Sequence, residues 1–459
     1  MGAGKTTLGE ALADALGRPF VDVDHRIEQA EPISQIFATA GEAEFRRRET
    51  AQVLDALAAS SPSVLALGGG AVETDAIRTG LRDRALTILV EVEPAEAWRR
   101  VGGSERPLAQ DEDLFHRLFE QRRPLYDDAA DGRAHDVESA ILVAGGTHVE
   151  TGALERLGEL VPGSGPVEVI SDARVAGIYG MDVQLALGSR ARAEHELPPG
   201  ERAKTVESLE AMWRGLRLDR LGTLVALGGG CTTDVAGFAA ATYLRGIDWV
   251  AVPTTLVGQV DAAIGGKTAI DIPEGKNLIG AFHWPERTVI DPGTLATLPE
   301  QELANGRAEL VKTGLLAGEK LWELPLEQQV RRAAAFKTAV CLRDPHDRGQ
   351  RAQLNLGHTF AHALEAAAGY ELPHGRAVAL GLLAALRLSG LDTKAVEETL
   401  RPQPVRVDRE RAWAALERDK KAVGGAPRLV LLDAPGKPRI GVEVPPADVR
   451  AALDELIAG

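Results

Sequence analysis

Two cysteines in 459 residues, Cys231 and Cys341, permit one disulfide at most and are too few and too far apart for a thiolate metal site. A reducing cytoplasm is therefore the expected compartment. No apolar run approaches the length of a membrane span, and the N-terminus lacks the apolar core of a secretory signal. Positive charge is not in excess either. A net charge of −15 argues against a general nucleic-acid binder, so anionic substrates must be met by local clusters of Arg and Lys. Internal repeats and low-complexity segments are also missing. What is present, 44% apolar and 26% charged residues, suits a globular chain that buries real cores, and the length exceeds one ordinary domain. The expectation is an α/β enzyme with more than one domain.

The chain opens on MGAGKTTLGEALADAL, the second half of a P-loop followed by a helical pattern. In such a loop, backbone N–H groups cradle phosphates, Lys5 reaches the terminal phosphates and the Thr6 hydroxyl belongs on Mg²⁺. FVDVDHRIE reads as a strand ending in Asp22 and Asp24, beside the loop at the carboxyl edge of a parallel sheet. Arg46–Arg48 in FATAGEAEFRRRE read equally as a solvated helix face or an anion grip. Gly68–Gly70 follow an apolar strand where backbone can approach a ligand, and SERPL and QRRPLYDDAA supply Arg106 and Arg122.

Taken together, these motifs make residues 1 to about 160 resemble shikimate kinase. The resemblance implies that Lys5 and Thr6 hold ATP and Mg²⁺ with help from Asp22. It also implies that Asp24, Arg46, Gly69 and Arg122 bind shikimate, and that Arg106 comes from a lid over ATP. Arg46 and Arg122 suit a carboxylate, which a guanidinium grips in bidentate fashion. The segment around Glu31–Gln35 is slightly shortened against the family. The first glycine of the P-loop, and the buried strand that feeds it, would fall before Met1. Such a strand is central and covered on both faces. The expectation is a natural start upstream of Met1; the alternatives are an impaired kinase half or a folded docking module.

ESAILVAGGTHVETGALERLGELV reads as a last strand and closing helix of this first domain, 1–160, and VPGSGP as a linker over 161–166. A second unit then starts, with an α/β part expected over 167–300 and a helical part over 301–459. TLVALGGGCTTDVAGFAAATYLRG gives an apolar strand, a glycine turn and a small-residue helix, the logic of a dinucleotide loop, although Thr233 stands where the strict fingerprint has glycine. Thr254, Thr255, Asp261, Lys267, Lys276 and Asn277 fall in polar loops between apolar strands, and two lysines in glycine-flanked loops suit a phosphate or carboxylate.

RAQLNLGHTFAH looks like the front of a helix with His358 and His362 on one face and Arg351 two turns earlier. An HxxxH pair alone reads as a solvated face, as core histidines or as a zinc site. His374 nearby, and Glu309 in what looks like an acidic helix start, favour an open zinc site without thiolates.

With Lys337, these segments make residues 167–459 resemble 3-dehydroquinate synthase, most closely from Gly222 to His374. The resemblance implies a Rossmann-like α/β part and a helical part with the site between them. Its zinc ligands would be Glu309, His358 and His374, with His362 a phosphate-side catalytic residue instead of a ligand. NAD contacts would fall on Asp172, Glu201, Lys204, Gly229, Gly230, Asp234, Thr254, Thr255 and Thr297, with Lys276 alongside. Asp261, Lys267, Asn277, Lys337, Arg351, Asn355 and His362 would form the substrate pocket. Arg245 would reach the neighbouring subunit's site, which implies a homodimer, and Lys420 or Lys421 would close on the substrate. Asp347 stands where the family usually has Glu, Arg174 replaces a small polar residue, and the family's N-terminal strand pair looks absent or reduced. Other sugar-phosphate cyclases share this fold, but Lys267, Asn277 and Arg351 favour dehydroquinate chemistry.

Overall fold

The computed structural model describes residues 2–102, 111–421 and 428–458, and the side chains of residues 419–421 lie outside that description. The chain divides into two compact units, Met1–Gly145 and Gly146–Gly459.

In the first unit, β1 (Phe20–Asp22) pairs in parallel with β2 (Val64–Ala66), and β3 (Ile88–Val90) pairs in parallel with β4 (Gly132–Ala134). These are two separate two-stranded sheets. Each strand has only three residues, so helices supply most of the core. Val23, Ile36, Phe45, Val53 and Ile77 form the main apolar cluster, in which helix Gly41–Leu57 is a principal wall. β1 stops at Asp22 because that residue caps the next helix, Val23–Glu28, by accepting from the His25 N–H. Asp24 therefore lies in a first helical turn and not at a strand end.

The second unit is organised around an all-parallel sheet of six strands. β5 is Thr147–Val149, β6 Val167–Asp172, β7 Ala191–Leu197, β8 Thr223–Gly228 and β9 Asp248–Pro253. β10 (Lys267–Ile272) and β11 (Gly275–Phe282) form a separate antiparallel hairpin, and β12 (Arg287–Ile290) returns to the main sheet. The sheet order is β5-β12-β9-β8-β6-β7. β8 is buried along its whole length, as a central parallel strand must be. Helix Gly230–Thr242 packs closely here because its buried face is small: beside Gly237, a methyl group would lie 2.9 Å from the Trp249 ring.

Two sequence expectations change. The strand at Thr147–Val149 pairs with β12, so it belongs to the second unit and the boundary falls at Gly145 instead of 160. VPGSGP is accordingly not an interdomain linker: Val161 is 2% exposed, and the Val161, Pro162 and Gly165 carbonyls all accept from Arg190. β5 gives the sheet one short strand ahead of β6.

Beyond the sheet, helices Glu300–Ala317, Leu326–Arg343, His358–Ala367, His374–Leu388, Arg409–Lys421 and Pro446–Asp454 surround a second large core. They are joined there by the hairpin of β13 (Arg428–Ala434) and β14 (Lys437–Glu443). No described helix is long and apolar enough to cross a membrane.

Candidate active sites

In the first unit, Gly4 precedes helix Lys5–Leu16 in the left-handed conformation (φ 81°), which costs a glycine little and aims the helix N-terminus outward. The Thr6 hydroxyl donates to Asp22 at 2.7 Å, so the two oxygens expected to serve Mg²⁺ are already together. Arg46 lies 2.6 Å from the fully buried Glu49 and 3.0 Å from Glu42. Burial lifts the Glu49 carboxyl above its ordinary range, partly offset by Arg46. Arg47 and Arg48 instead pair with Glu44 and Glu31, which makes them the solvated side of that helix. Arg122, 4% exposed, comes from helix Glu112–Ala129. Tyr126 on the same helix donates to the Gly69 carbonyl at 2.6 Å. A side chain at Gly68 would strike Glu49 and lie 3.0 Å from Asp24 Oδ1. Asp24, Arg46, Gly69 and Arg122 are thus gathered in one pocket; Arg106 lies outside the described residues.

In the second unit, the carboxyl ends of adjacent parallel strands line up the cofactor-side residues. Asp172 ends β6 and caps the following helix through the Arg174 and Val175 N–H groups. Gly229 and Gly230 follow β8. A methyl at Gly229 would lie 3.0 Å from Thr255 Cγ2, and one at Gly230 2.9 Å from Ala262 Cβ, so the turn admits backbone only. The Thr254 N–H donates to the Gly228 carbonyl at 2.9 Å, locking β9 to this turn. Thr297 bonds Tyr179 at 2.6 Å. A network lies alongside: Lys204 donates to Asp234 at 2.6 Å and contacts Asn277, while Lys276 sits 3.3 Å from Glu201. Burial pushes Asp234 up to about 6 despite the pull of Lys204. Asn277, expected on the substrate side, is therefore tied to the cofactor-side lysine.

The third group centres on a buried carboxylate. Glu309 is fully enclosed and lies mid-helix in Glu300–Ala317, not at the helix start expected. Its Oε1 is 2.9 Å from His374 Nε2 and 3.5 Å from His358 Nε2. Ligand atoms of the three residues all lie within 4.8 Å of one another. Each imidazole is held through its other nitrogen, His358 Nδ1 by the Leu356 carbonyl at 3.2 Å and His374 Nδ1 by Glu365 at 3.1 Å. Both Nε2 atoms are thereby directed at one point, as metal-binding histidines require. Burial alone would neutralise Glu309, but Lys312 and His358 hold its carboxyl well below the usual range. This donor set, one carboxylate and two imidazoles with no thiolate, fits a catalytic zinc ion.

Around it, Lys337 donates to Asp261 at 2.6 Å, Lys267 contacts Asp347, and Arg351 donates to the Gly265 carbonyl at 2.8 Å. Arg351 does not share a helix with the histidines. It sits on a 3-10 turn, Gln350–Asn355, and Gly357 (φ 77°) breaks the chain before helix His358–Ala367 begins. His362 stands one turn after His358, ring centroids 5.4 Å apart, outside the three-ligand cluster. Asn355 and Arg245 are exposed. Lys420 and Lys421 close a helix, but their side chains lie outside the described residues. Sequence reasoning missed Lys312 and Glu365. Lys312 follows Glu309 by three residues on the same helix face, and Glu365 follows His358 by seven; both spacings were readable signals.

Fold and site together define a dinucleotide-type α/β enzyme with an open metal centre, preceded by a P-loop phosphotransferase-type unit. Comparison with known proteins narrows this. The sequence model of shikimate kinase matches residues 1–144, and those of the N-terminal and C-terminal parts of 3-dehydroquinate synthase match residues 194–305 and 306–422. The chain is 40% identical over 344 residues to the 3-dehydroquinate synthase of Bordetella pertussis, covering 67% of this chain and 95% of that one. It is 38% identical over 346 residues to that of Symbiobacterium thermophilum, covering 67% and 97%. Among solved structures, 2-epi-5-epi-valiolone synthase from Streptomyces hygroscopicus, with NAD⁺ and Zn²⁺ bound, aligns with a TM-score of 0.61 at 27% identity, covering 68% of this chain and 96% of that one. The chain belongs to the 3-dehydroquinate synthase family and carries a shikimate kinase domain ahead of it.

Proposed function

We propose that the chain performs two reactions of one biosynthetic route. The synthase half eliminates phosphate from 3-deoxy-D-arabino-heptulosonate 7-phosphate and closes the carbocycle; the kinase half phosphorylates the 3-hydroxyl of shikimate with ATP. The observation that carries the first assignment is the convergence of Glu309, His358 and His374 on one point, with the buried Lys312 against Glu309.

Glu309, His358 and His374 would hold zinc, and Asp172, Gly229, Gly230, Thr254, Thr255 and Thr297 would hold NAD, with Glu201, Lys204, Asp234 and Lys276 beside it. When bound, zinc polarises substrate oxygens and NAD⁺ takes and then returns a hydride, so the dinucleotide is recycled. The chain's own residues position and neutralise. Lys267, Arg351 and His362 hold the departing phosphate, while Asp261 keeps the Lys337 ammonium fixed at 2.6 Å for the substrate's oxygens. Asn277 and Asn355 would complete the pocket by hydrogen bonding to substrate hydroxyls. Arg245, exposed on a left-handed turn (φ 67°), would complete the site of a second copy, making the working form a homodimer.

In the kinase half, Lys5 and the helix N-terminus receive ATP phosphates, and Thr6 with Asp22 would hold Mg²⁺. Asp24 orients the attacking hydroxyl, and Arg46 and Arg122 grip the carboxylate. The compartment is the cytoplasm, consistent with two unpaired thiols, Cys231 and Cys341.

A paired assay on the full chain tests both assignments. Phosphate release from the sugar acid phosphate is followed with NAD⁺ and Zn²⁺, and ADP release with shikimate and ATP. Both signals are expected. Failure of the first refutes the synthase assignment, and failure of the second alone refutes the kinase assignment.

A further inference from the structure

The two guanidiniums of the kinase pocket already hold a carboxylate from the chain itself. Glu73 ends a short 3-10 turn, Ala71–Glu73, directly after the glycine run. Its Oε2 lies 3.0 Å from Nη2 of Arg122 and 3.4 Å from Nη2 of Arg46, so one oxygen bridges both arginines. Arg46 also holds Glu49 and Glu42. Three carboxylates thus face two guanidiniums, and a substrate bringing a fourth meets a group already in acid excess. Arg122, meanwhile, is not saturated: its Nε is buried with no hydrogen-bond partner among the described residues. Leaving such an atom unpaired is costly.

We propose that Glu73 sets the affinity of this pocket: its carboxylate stands where the substrate's carboxylate binds, and the substrate must displace it to engage Arg46 and Arg122. The proposal rests on the shikimate kinase assignment of this half. Burial argues for displacement over a positioning role. Arg122 is enclosed by the protein and further held beside the Tyr126 hydroxyl, whereas the Glu73 side chain that touches it is 39% exposed. A rotamer change would carry the carboxylate into water and free two N–H donors for a bidentate grip.

The two roles predict opposite signs. Full-length Glu73→Gln and Glu73→Ala would be compared with the parent by calorimetric titration of shikimate and by steady-state kinase assay, with synthase turnover as the folding control. Displacement predicts shikimate binding tightened by about five-fold in both variants, the scale of losing a partly exposed ion pair. The change would sit in shikimate affinity and KM rather than in kcat or the KM for ATP. Glu73→Asp, too short to bridge both arginines, should fall between. A shikimate analogue with its carboxylate reduced to hydroxymethyl should bind parent and Glu73→Gln alike. Unchanged or weaker shikimate binding in Glu73→Gln overturns the proposal and leaves the kinase assignment standing. No shikimate binding by any form, with synthase turnover intact, overturns both.

Discussion

A single methyl group placed at Gly357 tests whether the metal centre is held by helix packing. Gly357 sits immediately before His358, at the mouth of helix His358–Ala367, with φ 77°. A Cβ there would lie 2.8 Å from Leu382 N and 2.9 Å from the Gly381 carbonyl carbon, both backbone atoms of helix His374–Leu388. Ordinary contact requires about 3.5 Å, so the helices must part by roughly 0.7 Å or Gly357 must rotate. Each helix begins with one imidazole of the cluster, and zinc coordination tolerates only about 0.2 Å of error. Gly357→Ala should therefore weaken zinc binding by about 10- to 100-fold, the range seen when the supports of a ligand are disturbed. Left-handed strain of about 1 kcal/mol and overpacking of about 1–3 kcal/mol should also destabilise this unit. Competition with a chromophoric chelator measures the first effect and urea unfolding the second, with kinase turnover of the same chain as the internal control. Zinc affinity within two-fold of the parent and an unchanged unfolding midpoint would refute the reasoning, since the contact would then have been slack.

Other perturbations separate the parts of the molecule. Glu365→Ala frees His374 Nδ1 and should cost about ten-fold or more in zinc affinity, read by the same competition, because nothing then fixes the ring. In the metal-free protein burial opposes a charged His374, but hydrogen bonds to Glu309 and Glu365 outweigh it and raise the imidazole to about 10. A raised value means that the proton is held through neutral pH and must leave when metal binds. Zinc titrations between about pH 6 and pH 8 should therefore show affinity rising about tenfold per unit. Lys5→Met should abolish ADP production from shikimate and ATP while leaving phosphate release from the sugar acid phosphate unchanged. A zinc-selective chelator in the presence of excess Mg²⁺ should do the reverse, a contrast that the paired assay reads directly.

How much of this was legible beforehand differs between near and distant neighbours. His358 and His362 were visible as a pair because the helical repeat puts i and i+4 on one face. That same local rule overreached by extending the helix back through Arg351, where Gly357 turns the chain left-handed. Glu309 and His374 could be offered as further ligands from their residue types, but only the family resemblance separated His362 from the ligand set, since nothing local fixes how one helix faces two others. The glycine turn after β8 was readable from composition, and so was the parallel sheet beneath it. The unit boundary was not. A three-residue strand such as Thr147–Val149 carries no signal of which sheet it joins, and its partner, β12, lies more than a hundred residues later. Lys312 was passed over because a lysine three residues from a glutamate usually marks a solvated helix surface, whereas this one is 1% exposed.

That burial explains how a chain of net charge −15 builds sites for anions. A buried ammonium without a counter-charge is disfavoured, and each buried lysine named here carries a carboxylate: Lys312 has Glu309, Lys337 has Asp261 and Lys204 has Asp234, while the half-exposed Lys267 has Asp347. Lys204 and Lys312 consequently keep raised pKa values against strong desolvation, each held up by its acidic neighbours. The acids thus fix the ammonium groups in place. Asp261 does this for two lysines at once, 2.6 Å from Lys337 and 3.7 Å from Lys312. Its loss would release both from a common anchor, whereas losing Asp347 would release only Lys267. The kinase pocket differs in one respect. Glu49 is fully buried and cannot leave Arg46, but Glu73 can leave Arg122, which makes one of its acids a support and the other a competitor.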